Sequence, residues 1–171
     1  MTFGILDKID IKPNMKFLNV AFGHATEAKL LARRLVNSGL YTQEQALDSI
    51  YMIDKYSMFC NQAKAIGFKN VIQDDYLQWE TNMKFDVVVG NPPYTNGQKL
   101  LYTNFFEKAL DVGDLVAFVM PVQLESKHDK LKFHNQRVQK HLLELSDNLS
   151  QHFNVGYDNI RCVYAQKSIE N

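Results

Sequence analysis

The chain has 171 residues, enough for one domain with a hydrophobic core and few for two, so we expect a single domain. Its 19 Lys and Arg balance 19 Asp and Glu, so no overall field favours nucleic acids, membranes or acidic ligands, and contact with a polyanion needs a local patch. The amino terminus has no basic region followed by a long apolar run, and no apolar stretch approaches the roughly 18 residues of a membrane span. These features predict a soluble, cytoplasmic protein.

The two cysteines, Cys60 and Cys162, lie far apart and in no CxxC or Cys/His spacing. Neither a disulfide framework nor a metal site is therefore indicated. We expect both side chains to be free thiols of the core in a reducing compartment.

Short apolar runs alternate with helical patterns along the chain, which is typical of a mostly parallel sheet with helices on its faces. Most of these runs are almost continuously apolar, as expected of strands that are buried on both faces. In chain order, the predicted strands are residues 16–22, 49–54, 70–74, 85–90 and 115–121, and the predicted helices are residues 25–36, 42–47, 56–68, 101–110 and 130–149.

Local signals define some of these helices. Thr42 followed by Gln45 is a capping box that opens the second helix, and Gly67 is a stop for the third. After the fifth helix, extended runs on either side of Asp158-Asn159, a tight-turn dipeptide, predict a hairpin that adds an antiparallel strand. The prediction of the fifth helix depends on a loose apolar stripe formed by Leu131, Val138, Leu142, Leu145 and Leu149.

Ligands of open α/β sheets bind beyond the carboxyl ends of the strands, near the switch in strand order. Gly23 follows the first strand, where the next helix could offer N–H groups to a carboxylate or phosphate, or where the chain could simply turn. Asp54 ends the second strand and could accept from a ribose diol or cap the following helix. Asp74 and Asp75 end the third strand, and one of them could cap or accept from a ligand amine.

The fourth strand runs into Asn91-Pro92-Pro93-Tyr94, an unusual ending because proline has no N–H and a fixed φ. An exocyclic amine on a ring is a poor nucleophile, since its lone pair is delocalised, and two acceptors converging on the nitrogen would draw both N–H bonds out of plane. Asn91 offers a side-chain oxygen, and Pro92 offers a carbonyl on a stiffened backbone. Tyr94 offers a face for a base, so the motif predicts alignment of a planar amine, the alternative being a turn with a solvent-side tyrosine.

In "FDVVVGNPPY" the chain resembles the N6-adenine DNA methyltransferases of the NPPY type, particularly the compact catalytic modules of fused restriction-modification enzymes. The similarity continues through "IYMIDKYSMFCNQAKAIGF", "DDYLQWE" and "LYTNFFEKAL…LVAFVMP" and covers nearly the whole chain in order. It implies a Rossmann-like, S-adenosylmethionine-dependent α/β fold and methylation of N6 of a flipped DNA adenine. Asn91 and the Pro92 carbonyl would hold the target amine, with Pro93 beside them, and Tyr94 would stack on the base.

The resemblance also implies a cofactor site for S-adenosylmethionine. Asp54 would bind the cofactor ribose, and Asp75 would accept from the amine of the cofactor adenine. Gly23 would let the first loop approach the methionine moiety, and Phe3, in "TFG", would pack on the cofactor.

The chain departs from the family at the first cofactor motif, which usually reads D-P-x-x-G-x-G. Here the corresponding positions include Asn19, Gly23 and Ala25. The amide of Asn19 removes a charge that would organise the loop, and Ala25 adds a methyl group that would crowd the methionine end. We expect Asn19 and Gly23 to contact the cofactor and this loop to be the weakest part of the site.

Such enzymes commonly carry a target-recognition region, and we expect none within these 171 residues. Residues 122–141 hold five Lys or Arg against two acids, a stripe that could contact phosphates or could be a solvated helix face. The partner would be DNA, or RNA, with recognition supplied by a second subunit, a dimer mate or little specificity at all. The candidate contacts are Lys127, Lys130, Lys132 and Arg137.

Two other functions stay open. The same chemistry would serve RNA adenine or the side-chain amide of a protein glutamine, although the glutamine enzymes usually carry an amino-terminal helical domain for which this chain has no room. A binding or regulatory subunit that kept the fold and lost turnover would explain the altered loop, but the intact Asn91-to-Tyr94 stretch argues against it.

Overall fold

Strands and helices alternate along the chain in the computed structural model, which describes residues 6–96, 99–122, 129–153 and 159–167. The strands are β1 (Phe17–Val20), β2 (Ile50–Asp54), β3 (Asn70–Gln73), β4 (Phe85–Gly90), β5 (Thr95–Asn96), β6 (Lys99–Leu100), β7 (Gly113–Pro121), β8 (Leu142–Leu145) and β9 (Ile160–Gln166). The helices are α1 (Thr26–Asn37), α2 (Gln43–Ser49), α3 (Ser57–Ile66), α4 (Leu101–Val112) and α5 (Asp129–His141), and a 3₁₀ turn covers Ser150–His152.

Seven of these strands form one sheet in the order β3-β2-β1-β4-β7-β9-β8, and β5 pairs with β6 in a separate antiparallel ribbon. The first five strands of that order are parallel to one another. β9 runs antiparallel between β7 and β8. The predicted α/β fold, mostly parallel with an antiparallel carboxyl-terminal member, is confirmed. Since the strand order reverses between β1 and β4, a crevice is expected at their carboxyl ends.

The two faces of the sheet bury separate clusters because side chains alternate along each strand. Phe17 and Leu18 of β1 are both fully buried, the first in the cluster that packs against α1 and the second in the cluster that packs against α4. Cys60 and Cys162 are buried free thiols of the first cluster, as predicted. Among the described residues, no helix is long and apolar enough to cross a bilayer.

The short-range helix signals are confirmed. The Thr42 side chain accepts a hydrogen bond from the Gln45 N–H at 3.1 Å, and the Gln45 side chain accepts from the Thr42 N–H at 2.9 Å, so α2 begins with a capping box. Gly67 follows α3 with a φ of 117°, the left-handed conformation that ends many helices.

The prediction of one helix over residues 130–149 is wrong in its second half. α5 ends at His141, and Leu142–Leu145 form strand β8 on the edge of the sheet beside β9. A bulge between Leu142 and Glu144 places Leu142 and Leu145 against the same core cluster, so their spacing of three imitates a helix. Pairing with β9 satisfies backbone groups at the sheet edge and overrides the local pattern.

The predicted hairpin across Asp158-Asn159 is also corrected. β9 takes its antiparallel partners from β7 and β8, and His152, in the predicted first arm, belongs to the 3₁₀ turn. Hydrogen bonds from the Ser146 N–H to the Cys162 carbonyl and from the Leu149 N–H to the Ile160 carbonyl continue this pairing past β8. Residues 154–158 lie outside the described part of the chain.

Candidate functional site

A cavity of about 510 Å³ opens at the carboxyl ends of the strands β1 to β4, where the strand order reverses. The structure brings five of the predicted site residues to its wall, namely Gly23, Asp54, Asp75, Asn91 and Pro93. The other lining residues come from the end of β2, from the loops and from the first two turns of α3 and α4: Ala21, Ile53, Lys55, Tyr56, Phe59, Asp74, Tyr76, Leu77, Thr95, Leu101 and Phe105.

The loop after β1 has left-handed backbone at every second residue. The φ angles are 48° at Ala21, 52° at Gly23 and 61° at Ala25, a conformation that non-glycine residues adopt at a cost. Hydrogen bonds from the Ala21 N–H to the Ile53 carbonyl, at 2.9 Å, and from the Ala25 N–H to the Phe22 carbonyl, at 2.8 Å, hold the turn. A Cβ atom on Gly23 would meet no protein atom within 4 Å, so the bare Gly23 backbone borders open space in the cavity.

Ala25 does not narrow this cavity. It is 1% exposed and lies in the core cluster under α1, so the expected crowding by its methyl group is wrong. Asn19 lies in β1, wholly buried, where its Nδ2 donates to the Val89 carbonyl at 3.2 Å. In the part of the chain that the structure describes, Asn19 Oδ1 has no hydrogen-bond partner. Asn19 therefore lies beneath the loop, and its contact with a cofactor stays a prediction.

Asp54 connects two loops through its carboxylate. Oδ2 accepts from the Gly23 N–H at 3.1 Å, and Oδ1 accepts from the Tyr56 N–H at 3.0 Å, just before α3 begins. Asp54 is not the N-cap that the sequence offered as an alternative, because Tyr56 occupies that position and α3 has no side-chain cap; the Asp54 carboxylate instead joins the two loops. It also lines the cavity at 7% exposure, and each oxygen keeps a further lone pair for a ligand donor.

The end of β3 places two acids side by side on the cavity wall. The Asp74 N–H donates to the Asp54 carbonyl at 3.1 Å, which ties this loop to the end of β2. Asp75 Oδ1 accepts from the Leu77 N–H at 3.0 Å, and the Asp75 carbonyl accepts from the N–H groups of the next turn. Both carboxylates are exposed in the cavity wall, where they can accept from a ligand amine.

Cys60 of α3 is buried and is not among the described residues that line the cavity. Burial raises the pKa of the Cys60 thiol, and the charge of Asp54 adds to this effect, so Cys60 stays protonated and donates to the Asp54 carbonyl. At the rim, Lys55 Nζ lies 5.1 Å from the centre of the Tyr56 ring. No group of three His, Cys, Asp or Glu is placed to hold a metal ion within the described ranges.

Gly90 brings the end of β4 against the end of β1. A Cβ atom there would lie 2.8 Å from Val20 Cγ2 and 2.9 Å from the Val20 carbonyl oxygen, so only glycine fits. Because β4 and β1 are parallel neighbours with Gly90 opposite Val20, Asn91 emerges beside the loop that carries Gly23. Asn91 is half-buried and lines the cavity with Pro93, while Pro92 is buried.

Tyr94 contacts both Asn91 and two aromatic rings. Its hydroxyl donates to Asn91 Oδ1 at 3.1 Å, so the predicted acceptor for an amine already has a partner in the protein. The Tyr94 ring is perpendicular to that of Tyr102, at 6.2 Å between centres, and lies 6.3 Å from that of Phe153. The ring is half-buried and packs against both core clusters.

A comparison with models of protein families identifies the family of this chain. The model of the Eco57I restriction-modification methylase family matches residues 26–153, well over half of the chain. The chain belongs to that family. The match begins at Thr26, directly after the altered loop, and includes the Asn91-to-Tyr94 segment. A search of curated protein sequences found no significant match to this methylase.

Solved structures share the fold of this chain. A protein of Listeria monocytogenes, described as a candidate class I S-adenosylmethionine-dependent methyltransferase, has a TM-score of 0.72 and 15% identity over 98% of this chain, which spans 58% of its length. The 23S rRNA methyltransferase ErmE has a TM-score of 0.65 and 13% identity, covering 99% of this chain and 70% of that one. The plantazolicin methyltransferase BpumL, in complex with SAH, has a TM-score of 0.58 and 13% identity, covering 98% and 81%. The predicted Rossmann-like methyltransferase fold is therefore confirmed.

The structure describes only some of the residues that are predicted to contact nucleic acid. Lys127 lies outside the described residues, and so do the side chains of Lys130 and Lys132 on α5. Arg137 forms an ion pair with Glu107 on α4, with 3.1 Å between its NH2 group and Oε2. Phe3, the faint candidate for packing on the cofactor, also lies outside the described residues.

Sequence reasoning missed three apolar contributors to the site of the methylase. Leu101 and Phe105 supply the α4 wall of the cavity, and Phe153 lies beside Tyr94. The apolar spacing within 101–110 could have identified one buried face of α4, but not which strand end that face meets. Phe153 is far from Tyr94 in sequence, so no local pattern connects the two rings.

Proposed function

We propose that this methylase transfers a methyl group from S-adenosylmethionine to the exocyclic N6 of an adenine in DNA. The observation that carries the proposal is the position of Asn91. Gly90 brings Asn91 against β1, so an amide oxygen suited to an amine borders the same cavity as Gly23 and Asp54. One cavity can therefore hold a methyl donor and a planar amine together.

The cofactor half of the cavity fits S-adenosylmethionine. The open space over Gly23 has room for the methionine end, and the two oxygens of Asp54 keep lone pairs for the ribose hydroxyls. Asp75, exposed on the wall, can accept from the amine of the cofactor adenine. Asn19 stays a candidate cofactor contact through its Oδ1, which lies beneath the loop and has no partner among the described residues.

The other half of the cavity, around Asn91 and Pro92, would hold the target amine and serves to activate this poor nucleophile. When bound, S-adenosylmethionine supplies a methyl group whose bond to sulfur breaks as the bond to N6 forms, the electron pair staying on sulfur and the amine losing a proton to solvent. Asn91 Oδ1 and the Pro92 carbonyl accept from the two N–H bonds of the amine and leave its lone pair facing the methyl group. This alignment gains most in the transition state, so it raises turnover more than binding.

Tyr94 is proposed to hold the flipped base. Stacking on its ring would contribute roughly 1–3 kcal/mol, as base stacking on aromatic side chains does. Phe153, 6.3 Å away between ring centres, is a candidate for a second face. Asn91 Oδ1 has two lone pairs, so it can accept from the target amine beside the Tyr94 hydroxyl.

We assign backbone contacts with DNA to Lys127, Lys130, Lys132 and Arg137. Replacing Lys130 and Lys132 with alanine should reduce the slope of log affinity against log salt by about two, one per phosphate contact. Arg137→Ala should change the slope less, because Arg137 is paired with Glu107. The control is Lys29→Ala, an exposed lysine on α1, which packs on the other face of the sheet. A slope that the double variant leaves unchanged would make α5 a solvated helix.

The decisive experiment supplies the purified chain with methyl-labelled S-adenosylmethionine and a panel of acceptors. Duplex DNA, single-stranded DNA, RNA and a protein extract are offered separately, and the methylated atom is identified by mass spectrometry of the digested product. We expect N6-methyladenine in DNA. Label in no acceptor, together with no binding of the cofactor, would contradict the proposal and favour a regulatory subunit without turnover, with recognition left to a partner or dimer mate.

RNA adenine is the second candidate acceptor. The fold similarity to ErmE, which methylates 23S rRNA, favours it, since the two chains align over 99% of this one. The amine chemistry of Asn91 is the same for both nucleic acids. Label that appears in RNA and not in DNA would decide for this candidate.

A further inference from the structure

Lys108 of α4 makes an unusual set of contacts close to the cavity. Its ammonium donates to two backbone carbonyls, those of Tyr76 and Trp79, in the turn after β3. The same nitrogen lies 5.0 Å from the centre of the Tyr76 ring, within the range of a cation–π contact. One half-buried side chain therefore holds both ends of this turn.

The turn that Lys108 holds includes part of the cavity wall. Tyr76 and Leu77 line the cavity beside Asp75, and the Trp79 N–H donates to the Asp75 carbonyl at 2.8 Å. The Asp75 carboxylate is in turn fixed by the Leu77 N–H at 3.0 Å. A shift of the turn would thus move the carboxylate that faces the cavity.

Lys108 also connects this turn to the opposite wall. Phe105, one helical turn earlier on α4, lines the cavity, and its ring lies 4.9 Å from that of Tyr76. Burial lowers the pKa of Lys108, and the charges of Asp75, Asp74 and Glu80 oppose this effect, so the ammonium lies in a field set by the acids of the same loop. Lys108 is therefore connected to this loop by hydrogen bonds to two carbonyls, by a cation–π contact and by the charges of nearby acids.

We propose that Lys108 is a positioning residue that sets the selectivity of the cofactor site for a nucleobase with an exocyclic amine. It does so by fixing the distance between the Asp75 turn and α4, so that the Asp75 carboxylate meets the amine. The proposal rests on the proposed role of Asp75 in binding the cofactor adenine. Lysine suits the task because a compact ammonium can donate to two carbonyls at once, whereas the planar guanidinium of arginine offers its donors in a fixed fork.

The test compares two ligands that differ at one group. S-adenosylhomocysteine carries the amine, and its 6-deamino purine analogue carries a hydrogen atom there, which gives the Asp75 carboxylate no donor. Dissociation constants of both are measured by calorimetry for the wild-type chain, Lys108→Met, Lys108→Arg and the control Lys84→Met. Lys84 is matched to Lys108, because its ammonium donates to the Asp111 carbonyl on α4 away from the cavity.

We expect the wild-type chain and Lys84→Met to prefer S-adenosylhomocysteine by about tenfold or more, as a charged acceptor discriminates. Lys108→Met should lose most of that preference through weaker binding of S-adenosylhomocysteine, and Lys108→Arg should recover part of it. A merely structural lysine would weaken both ligands equally. If Lys108→Met does not fold, Lys108→Arg against the wild type decides.

The outcomes separate the two proposals. Unchanged preference in the folded Lys108 variants, with a selective wild type, would overturn the role of Lys108 and leave that of Asp75 intact. A wild-type chain that binds both ligands equally would overturn the role of Asp75, and that of Lys108 with it. Binding of neither ligand by the wild type would contradict the proposed function itself.

Discussion

The loop after β1 and the segment after β4 border the same cavity, but their sequences differ in how closely they follow the family. Asn19 at the end of β1 and Ala25 in the first loop stand where an acid and a glycine are usual, whereas the second segment keeps Asn91-Pro92-Pro93-Tyr94. The family match likewise starts after the first and includes the second. In structure, the altered loop keeps its left-handed turn at Gly23, and the intact segment has its key oxygen occupied by the Tyr94 hydroxyl.

The comparison shows that the sequence of a motif can change while the backbone geometry that usually accompanies it is kept. The conformation of the first loop depends on backbone hydrogen bonds and on Asp54, which reaches it from another strand, so the loop can tolerate a change at Ala25. The second segment depends on its own side chains, since Asn91 supplies the oxygen. Substitutions should therefore affect binding in the first region and turnover in the second.

The largest effect is expected at Asn91. Asn91→Ala removes one of two acceptors for the target amine and should lower turnover by roughly a hundredfold or more, the loss of one preorganised transition-state contact. Cofactor affinity should stay within about twofold, because Asn91 serves the other half of the cavity. Turnover is measured with labelled cofactor, and affinity by calorimetry.

The control for Asn91 is Asn104→Ala, which removes an exposed asparagine of α4. It should leave both turnover and affinity unchanged. Wild-type turnover in Asn91→Ala would refute the role of the amide in holding the amine.

A substitution at Gly23 tests the half of the cavity that is proposed to hold the cofactor. Gly23→Ala places a methyl group in the open part of the cavity and should weaken cofactor binding by a few tens of fold, from about 2 kcal/mol of overpacking against the ligand. Gly39→Ala is the matched control, since Gly39 also has a positive φ, 76°, and open space around its Cβ position, but lies away from the cavity. Both variants should lose about 1 kcal/mol of stability from left-handed strain.

Thermal unfolding and calorimetry together separate these two effects. If Gly39→Ala weakened the cofactor as much as Gly23→Ala, strain rather than contact would be the cause. The loop after β1 would then have no direct part in binding.

Asp54 is expected to have a smaller effect. Asp54→Ala should raise the dissociation constant of the cofactor about tenfold, since hydrogen bonds to a charged group contribute about 1.5 kcal/mol or more. It also frees the N–H groups of Gly23 and Tyr56, so stability should fall. Asp86→Ala is the control, because Asp86 Oδ2 accepts from the Lys16 N–H at 2.7 Å at the amino-terminal edge of the sheet.

Asp86→Ala should lower stability without changing cofactor binding. Unaltered binding in Asp54→Ala would instead reduce Asp54 to the structural role of joining the loops at Gly23 and Tyr56. Calorimetry with the folded variants decides between the two.

The strand ends could be predicted from the sequence because they depend on local chemistry. β4 ends at Gly90, as its apolar run predicts, and β2 ends at Asp54, where a polar residue stops a buried strand. The capping box at Thr42 was equally local. Since the topology then places the carboxyl ends of the parallel strands at one edge, five of the predicted site residues meet in one cavity.

The remaining features depend on contacts between distant segments. β8 exists because β9 offers an edge for pairing, and no pattern within Leu142–Leu145 distinguishes that strand from a helix end. The burial of Ala25 depends on the backbone angle at that residue, which its identity alone does not set. Lys108 bonds to backbone carbonyls, and every residue has one, so the sequence gives no sign of its partner.

The smallest expected effect concerns the hydroxyl of Tyr94. It tests whether Tyr94 holds the flipped base through stacking on its ring or through the hydrogen bond of its hydroxyl. Tyr94→Phe keeps the stacking face and removes the bond to Asn91 Oδ1, an oxygen whose second lone pair is available to the target amine with or without that bond. Turnover and DNA affinity should therefore stay within about threefold, since a neutral hydrogen bond contributes about 1 kcal/mol or less. Tyr94→Ala should weaken binding of an oligonucleotide by roughly 1–3 kcal/mol through loss of stacking. Titration of a fluorescent base analogue at the target position measures both variants, and equal losses in the two would assign the effect to the hydroxyl and exclude the ring as the platform.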